Sequence, residues 1–354
     1  MRPLSVLFRA DAGRQVGLGH LQRCLSLATA LCSAGVRCLF LTNEASQILE
    51  RIRRWGFPGS TLGKQNSWGA SDVAYTIATA KAQGCIAIIV DSDYEGPQYL
   101  SQLQEAGFFV CAIEDLAPHP FPCQLVVNGD AHARQLSYRA LNGDTRFLLG
   151  PEYAILRREL WEVPSRAAHD SVRTILVTFG GADPHRLTLS VLDVLDEIPE
   201  SFVMAAMLGP FFERRTEVDV LAQRSLHTIS VVWAADSVRQ LMVEADVAVS
   251  AGGQTLYELA RVGCPAVVVS AAGNQEAQVQ VFAERGCIHR VGRAEEPGLL
   301  LRVRDAVQLL LRDTHARAAM STAGQHFIDG GGAQRVAQAI IAEISVAQGN
   351  QREW

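Results

Sequence analysis

The stretch GLGHLQRC, Gly17 to Cys24, sets a histidine between a glycine turn and the first turn of a helix. Glycines there let bare backbone approach a ligand, but His20 needs its own reason. An imidazole changes charge near neutral pH and can act as a general base or acid; the plainer alternative is a helix N-cap or turn histidine with no chemical task. Leu21, Cys24, Leu25, Ala28 and Leu31 recur at helical spacing, so a helix begins near His20. Its opening amides could meet an anion or a sugar at the carboxyl end of the preceding strand. Arg9 and Asp11 end that strand one residue apart and therefore point the same way, toward the turn. Asp11 could reach His20, fix its tautomer and raise its basicity; otherwise it forms a simple strand-end ion pair with Arg9.

A second set of candidates lies further along. In VTFGGADPHRLT, Gly180 and Gly181 permit a tight turn before a helix led by Asp183 and Pro184, which are start signals in that order. A phosphate could use the free amides there. In DVAVSAGGQTLYELARVG, the run Ser250, Gly252, Gly253, Gln254 and Thr255 joins a buried strand to a helix, so unhindered amides can cradle a pyrophosphate. Glu258 lies one turn into that helix, placed to take both hydroxyls of a ribose or, more simply, to complement the helix dipole. The next strand runs out into VSAAGNQEAQ, delivering Asn274 and Gln275. Side-chain amides there suit a sugar's hydroxyl or acetamido groups, or are plain turn formers.

The elements that must hold these residues repeat a single pattern. Short apolar runs (SVLF, RCLFLT, IAIIVD, FVCAIED, QLVVN, then TILVTF, VMAAML, ISVV, VAVSA, AVVVS) alternate with helical-period segments. This is the signature of parallel sheets covered by helices on both faces. The expected architecture is α/β, two Rossmann-like domains facing across a cleft. Residues 1–157 form the first domain and 172–354 the second, with a linker at 158–171 and a C-terminal helix that could pack back on the first domain. A chain of 354 residues suits two domains, each with a proper core. A net charge of -5 with interspersed signs gives no case for nucleic acid. The eight cysteines form no C-x-x-C pair and read as reduced, buried thiols of a cytosolic protein. No apolar run suits a signal peptide or a membrane span, so the expected location is the cytoplasm. Oligomeric state is left open.

Together and in order, RADAGRQVGLGHLQRCLSLA, IEDLAPHPFPCQLVVN, FLLGPEYAILRREL, ILVTFGGADPHRLT, SAGGQTLYELARVGCP and GNQ resemble the UDP-sugar hydrolases of the pseudaminic acid pathway. These are relatives of the nucleotide-sugar glycosyltransferases with two Rossmann-like, GT-B-like domains. The resemblance runs over nearly the whole chain. It implies hydrolysis of UDP-2,4-diacetamido-2,4,6-trideoxy-β-L-altropyranose to the free sugar and UDP, with inversion and without metal or cofactor. His20 matches the family's catalytic histidine and would deprotonate the attacking water; Asp11 stays a catalytic candidate on its position alone, with the ion pair to Arg9 as the alternative. Amides around Gly252 and Gly253 would stabilise the charge on departing UDP, and Glu258 would hold the ribose. Arg9, Gly17, Gly19, Arg23, Gly180, Gly181, Ser250, Gln254, Thr255, Asn274 and Gln275 complete the expected substrate contacts. Where the family has a tyrosine facing the substrate, this chain reads Asp91-Ser92-Asp93-Tyr94. Either Tyr94 fills the role through a one-residue shift or Asp93 stands in its place, which leaves room for a related diacetamido sugar.

Two rival readings use the same nucleotide-binding residues. A glycosyltransferase would pass the sugar to an acceptor, and a non-catalytic module would bind the nucleotide sugar without turnover. A Rossmann dehydrogenase ranks below both, because Gln22 stands where the third glycine of G-x-G-x-x-G belongs.

Overall fold

A computed structural model describes residues 4–13, 18–43, 46–62, 69–92, 96–235 and 237–350. The chain divides into two compact units, one formed by 1–158 with 330–354 and the other by 159–329. Each is a parallel sheet with α-helices between most successive strands, as the apolar runs predict; only the last three strands of the first unit follow one another without an α-helix.

The first unit contains β1 (Ser5–Ala10), α1 (Gly19–Ser33), β2 (Arg37–Thr42), α2 (Ser46–Arg54), β3 (Gly59–Thr61), α3 (Ala70–Ala82), β4 (Ala87–Asp91), α4 (Pro97–Glu105), β5 (Phe109–Ile113), β6 (Leu125–Asn128) and β7 (Arg146–Leu149). Its seven strands run in the order β3-β2-β1-β4-β5-β6-β7, all parallel. Central strands are buried along their whole length, which is why they read as unbroken apolar runs rather than alternating ones. Alternation still sorts their side chains between two faces. Leu7, Leu39, Leu41, Ile88 and Val90 meet Val73 of α3 and Tyr99, Leu100 and Leu103 of α4 on one face. Phe8 stacks on Phe40 at 4.9 Å on the other, where the Cys38 thiol reaches the Ala28 carbonyl of α1.

The second unit contains β8 (Thr174–Thr178), α5 (Leu187–Asp196), β9 (Val203–Leu208), α6 (Arg215–Arg224), β10 (Thr228–Trp233), α7 (Arg239–Glu244), β11 (Val247–Ala251), α8 (Gln254–Val262), β12 (Ala266–Ser270), α9 (Glu276–Glu284), β13 (Ile288–Arg293), α10 (Leu299–Arg312) and α11 (Thr314–Phe327). Its six strands run β10-β9-β8-β11-β12-β13. Both sheets therefore reverse their winding once, between β1 and β4 in one and between β8 and β11 in the other. Ligands of open α/β sheets bind beyond the carboxyl ends of the strands at that reversal.

Residues 159–171, read as linker, lie in the second unit, where Glu159 accepts from the Ser237 hydroxyl and the Val238 amide. The last helix, α12 (Gly332–Asn350), belongs to the first unit and packs on α1 and β5. The cysteines are all free, and Cys32 is exposed where burial was expected. Among the described residues no helix is long and apolar enough to cross a membrane.

Candidate active site

In the first unit the residues at the winding reversal form one connected set. α1 starts at Gly19 with Leu18 as N-cap, so His20 is not the cap but the second helical residue. Helical spacing puts His20, Arg23 and Cys24 on one side of α1. Asp91 ends β4 in phase with Ile89, on the sheet face that α1 covers. The His20 Nδ1 lies 2.6 Å from Asp91 Oδ1. A carboxylate only accepts, so Nδ1 carries a proton and donates it, and Nε2 is the basic nitrogen whenever the ring is neutral; Arg23 Nη2, 3.2 Å from the same Nδ1, is a donor too and is held by Asp91 instead. Arg23 grips the same carboxylate through Nε at 2.7 Å and Nη2 at 2.6 Å, and the Cys24 thiol donates to it at 3.2 Å.

Asp91 is fully buried. Burial alone disfavours its charge, but Arg23 and then His20 outweigh that and hold its carboxyl well below the usual carboxylate range. Burial and the neighbouring Asp91 push the Cys24 thiol well up, so it stays neutral. The far Nη1 of Arg23 is held by both oxygens of Asp115, at 2.8 and 2.7 Å. Asp115 follows β5, its own carbonyl fixed by the Asn128 side chain of β6 at 3.2 Å.

Two sequence expectations change here. The carboxylate on the His20 Nδ1 is Asp91, while Asp11 takes the Arg9 guanidinium at 2.7 Å. The reason is parity: Arg9 lies in phase with Leu7, on the α3 and α4 face, where its Nη2 also meets Asp72 at 2.7 Å. That pair is closed by the Tyr99 hydroxyl donating to Asp72 at 2.8 Å, so Arg9, with 0% exposure, is buried scaffolding rather than a ligand contact. Arg23, expected to touch substrate, has every nitrogen of its guanidinium within bonding reach of a carboxylate. Gly19 is exposed, with open space around it. Gly17, Asp93 and Tyr94 lie outside the described residues. In the sequence Asp91 is marked only as the last residue of a buried strand and the first of the Asp91-Ser92-Asp93-Tyr94 run.

In the second unit the loops after β8, β11 and β12 hold the other candidates. Gly180 has φ +78 and gives the turn its left-handed step. Gly181 lies against Gly209, where an added Cβ would meet the Gly181 Cα at 2.4 Å. The helix start after that turn differs from the expectation. Asp183 and Arg186 sit at φ 49 and 56, so α5 begins only at Leu187. The Asp183 carboxylate accepts from the Leu187 and Thr188 amides at 2.9 and 2.8 Å, so two of the amides offered to a phosphate are already capped.

After β11, Gly253 is the N-cap of α8, without a capping side chain of its own, and no acidic residue stands in the first turn of the helix; a helix start of this kind suits an anion. Gln275 accepts from the Ala271 amide at 2.9 Å and packs beside Gly252. Asn274 next to it is exposed, Ser250 is buried at the end of β11, and Gln254 and Thr255 open α8 half-buried. Glu258 is buried on α8. Among the described residues no three His, Cys, Asp or Glu side chains gather as a metal ion needs.

Gly252 is sterically required. A Cβ there would lie 2.2 Å from Val279 Cγ2, and Val279 is a fully buried residue of α9. Gly252→Ala is expected to destabilise the fold by about 1–3 kcal/mol through overpacking. Gly253→Ala, whose Cβ meets only Gln275 Nε2 at 3.7 Å, serves as the tolerated control. A melting temperature unchanged in Gly252→Ala would show that the turn is not packed this way.

No protein-family model matches the chain. Solved structures of similar fold include Acinetobacter baumannii MurG, with a TM-score of 0.66, 16% identity and coverage of 96% of this chain and 100% of that one. The spinosyn rhamnosyltransferase SpnG complexed with thymidine diphosphate gives 0.59, 14%, 97% and 100%. The fold is that of GT-B glycosyltransferases. Sequence relatives of this GT-B chain are distant. The spore coat polysaccharide biosynthesis protein SpsG of Bacillus subtilis is 24% identical over 349 residues, 95% of this chain and 97% of its own. The uncharacterized protein MJ1062 of Methanocaldococcus jannaschii is 27% identical over 280 residues, 75% of this chain; the match spans 55% of that relative's length. The UDP-2,4-diacetamido-2,4,6-trideoxy-β-L-altropyranose hydrolase of Campylobacter jejuni is 23% identical over 207 residues, 57% of this chain and 68% of that protein.

Proposed function

We propose that the chain hydrolyses a UDP-linked diacetamido sugar, UDP-2,4-diacetamido-2,4,6-trideoxy-β-L-altropyranose or a near relative, to the free sugar and UDP. The observation that carries this reading is the 2.6 Å contact from His20 Nδ1 to Asp91, which leaves Nε2 as a base at the winding reversal of a sheet. Nε2 takes a proton from water as the water oxygen forms its bond to the anomeric carbon. The bond from that carbon to the phosphate oxygen breaks, and its electron pair leaves with UDP. UDP needs little protonation to depart, and the helix-end amides after Gly252 stabilise the charge as it develops. Attack opposite the leaving group inverts the anomeric configuration. Glu258 is assigned to the ribose, and Asn274 with Gln275 to acetamido or hydroxyl groups. The named activity of the Campylobacter relative supports the reading.

The rhamnosyltransferase neighbour supports a second reading, in which the same base activates an acceptor hydroxyl. Incubating the chain with the UDP-sugar, with chelator and no acceptor, separates the two. UDP release with the opposite sugar anomer seen by NMR is the expected result. Release only when an acceptor is added would make the chain a transferase, and UDP binding with no release under either condition would make it a binding module.

A further inference from the structure

Outside the imidazole and its carboxylate, the least explained feature of the first unit is the second carboxylate on Arg23. Arg23 Nη1 holds Asp115 in a two-oxygen contact at 2.7 and 2.8 Å. The same guanidinium shares Asp91 Oδ1 with His20, at 2.6 Å from each. Charges therefore alternate along one chain of contacts: imidazole, carboxylate, guanidinium, carboxylate. Arg23 competes with His20 for the Asp91 charge, and Asp115 in turn dilutes the pull of Arg23.

We propose that Asp115 is a positioning residue that sets the basicity of His20 through Arg23 and Asp91. The inference rests on His20 being the base. Asp115 suits the role by placement. Its side chain is 24% exposed against 0% for Asp91, and it sits just past the end of β5, the strand next to β4 in the sheet order. Among the described residues, the other charged and titratable groups nearby have partners of their own or are buried. Arg9 is paired with Asp11 and Asp72 on the opposite face, and Cys24 donates as a thiol. Glu114, beside Asp115, is tied to the Leu116 and Ala117 amides. His132, in the loop after β6, is buried; burial lowers its pKa, against the opposing pull of Asp115. Removing the Asp115 charge leaves Arg23 undiluted on Asp91 and takes a negative charge from the surroundings of His20. Both changes favour the neutral imidazole.

The test is the His20 titration followed by NMR in the full-length native chain, Asp115→Asn and Asp115→Glu, with the signal assigned from His20→Ala. Asp115→Asn is expected to lower the His20 midpoint by roughly half a unit or more and to move the acid limb of kcat/KM to lower pH by the same amount. Asp115→Glu returns both toward the native values. An unmoved midpoint in a folded Asp115→Asn protein, with melting temperature near native, overturns the inference. If the midpoint moves while the native chain releases no UDP, the coupling stands and the hydrolase reading fails; the two failures are thus separable.

Discussion

Replacing His20 by alanine is expected to cut UDP release by about 10²–10⁴-fold, the range general acid–base catalysis supplies, with KM little changed. The argument is positional. His20 is 11% exposed at its side chain, and its Nδ1 is engaged by Asp91, so the ring contributes to the reaction through Nε2. UDP itself is assigned to the loops after β11 and β12 in the second unit, so its binding should survive. Isothermal titration with UDP and steady-state kinetics on the same preparation test both halves. A variant that binds UDP normally and turns over normally would remove His20 from the mechanism.

The second large effect is expected at Asp91. Asp91→Asn keeps the shape but loses the charge that fixes the His20 tautomer. A comparable loss in a serine protease triad costs about 10⁴ in kcat, and at least 10²-fold is expected here. Stability should fall as well. Arg23 keeps Asp115 but loses its buried partner, and breaking a buried ion pair costs about 3–5 kcal/mol. The pH dependence follows from the sign of the shift. The Asp91 carboxyl is held below its usual range in the fold, so the unfolded chain binds its proton first as pH falls. The stabilisation is therefore complete above the ordinary carboxylate range and drains away as pH drops through it and below. Calorimetric melting temperatures of the two proteins should differ most near neutral pH and converge in acid. Parallel curves from neutral to acid pH would contradict the assignment of Asp91 as the depressed carboxyl.

Fold class was legible because a central parallel strand is buried on both faces and leaves an uninterrupted apolar run. The strands that escaped are those without such runs. β3 is only Gly59–Thr61, β7 begins with an exposed arginine, and β13 alternates through His289 and Arg290. All three are sheet edges, where one side of the strand has no neighbour to bury it. The start of α5 was misplaced because Asp183 and Pro184 look like a cap and first residue, whereas two left-handed residues postpone the helix. The site was half legible. His20, Arg23 and Cys24 fall on one helix face by spacing alone, and Asp91 falls on one sheet face by parity. That β4 lies beside β1, and so sets Asp91 against that helix face, depends on strand order, which no local pattern encodes. For the same reason the sequence leaves Asp11 open between His20 and Arg9; Arg9 and Asp11 share a direction, α3 lies on that side of the sheet, and the ion pair with Arg9 is the one that forms.

The first unit has an implication for how the protein is made. Its last helix, with Ala333, Val336 and Ile340 fully buried, packs on α1, and Arg335 donates to the Glu152 carbonyl at 2.7 Å. Those partners leave the ribosome early, but α12 emerges only after every residue of the second unit. A nascent chain thus carries the helix bearing His20 with part of its apolar surface uncovered until α12 emerges. The intervening unit, being continuous in sequence, can fold during that wait. Holding the two distant segments together costs chain entropy that grows only slowly with the length between them, so the delay falls on the kinetics of maturation far more than on the stability of the finished protein.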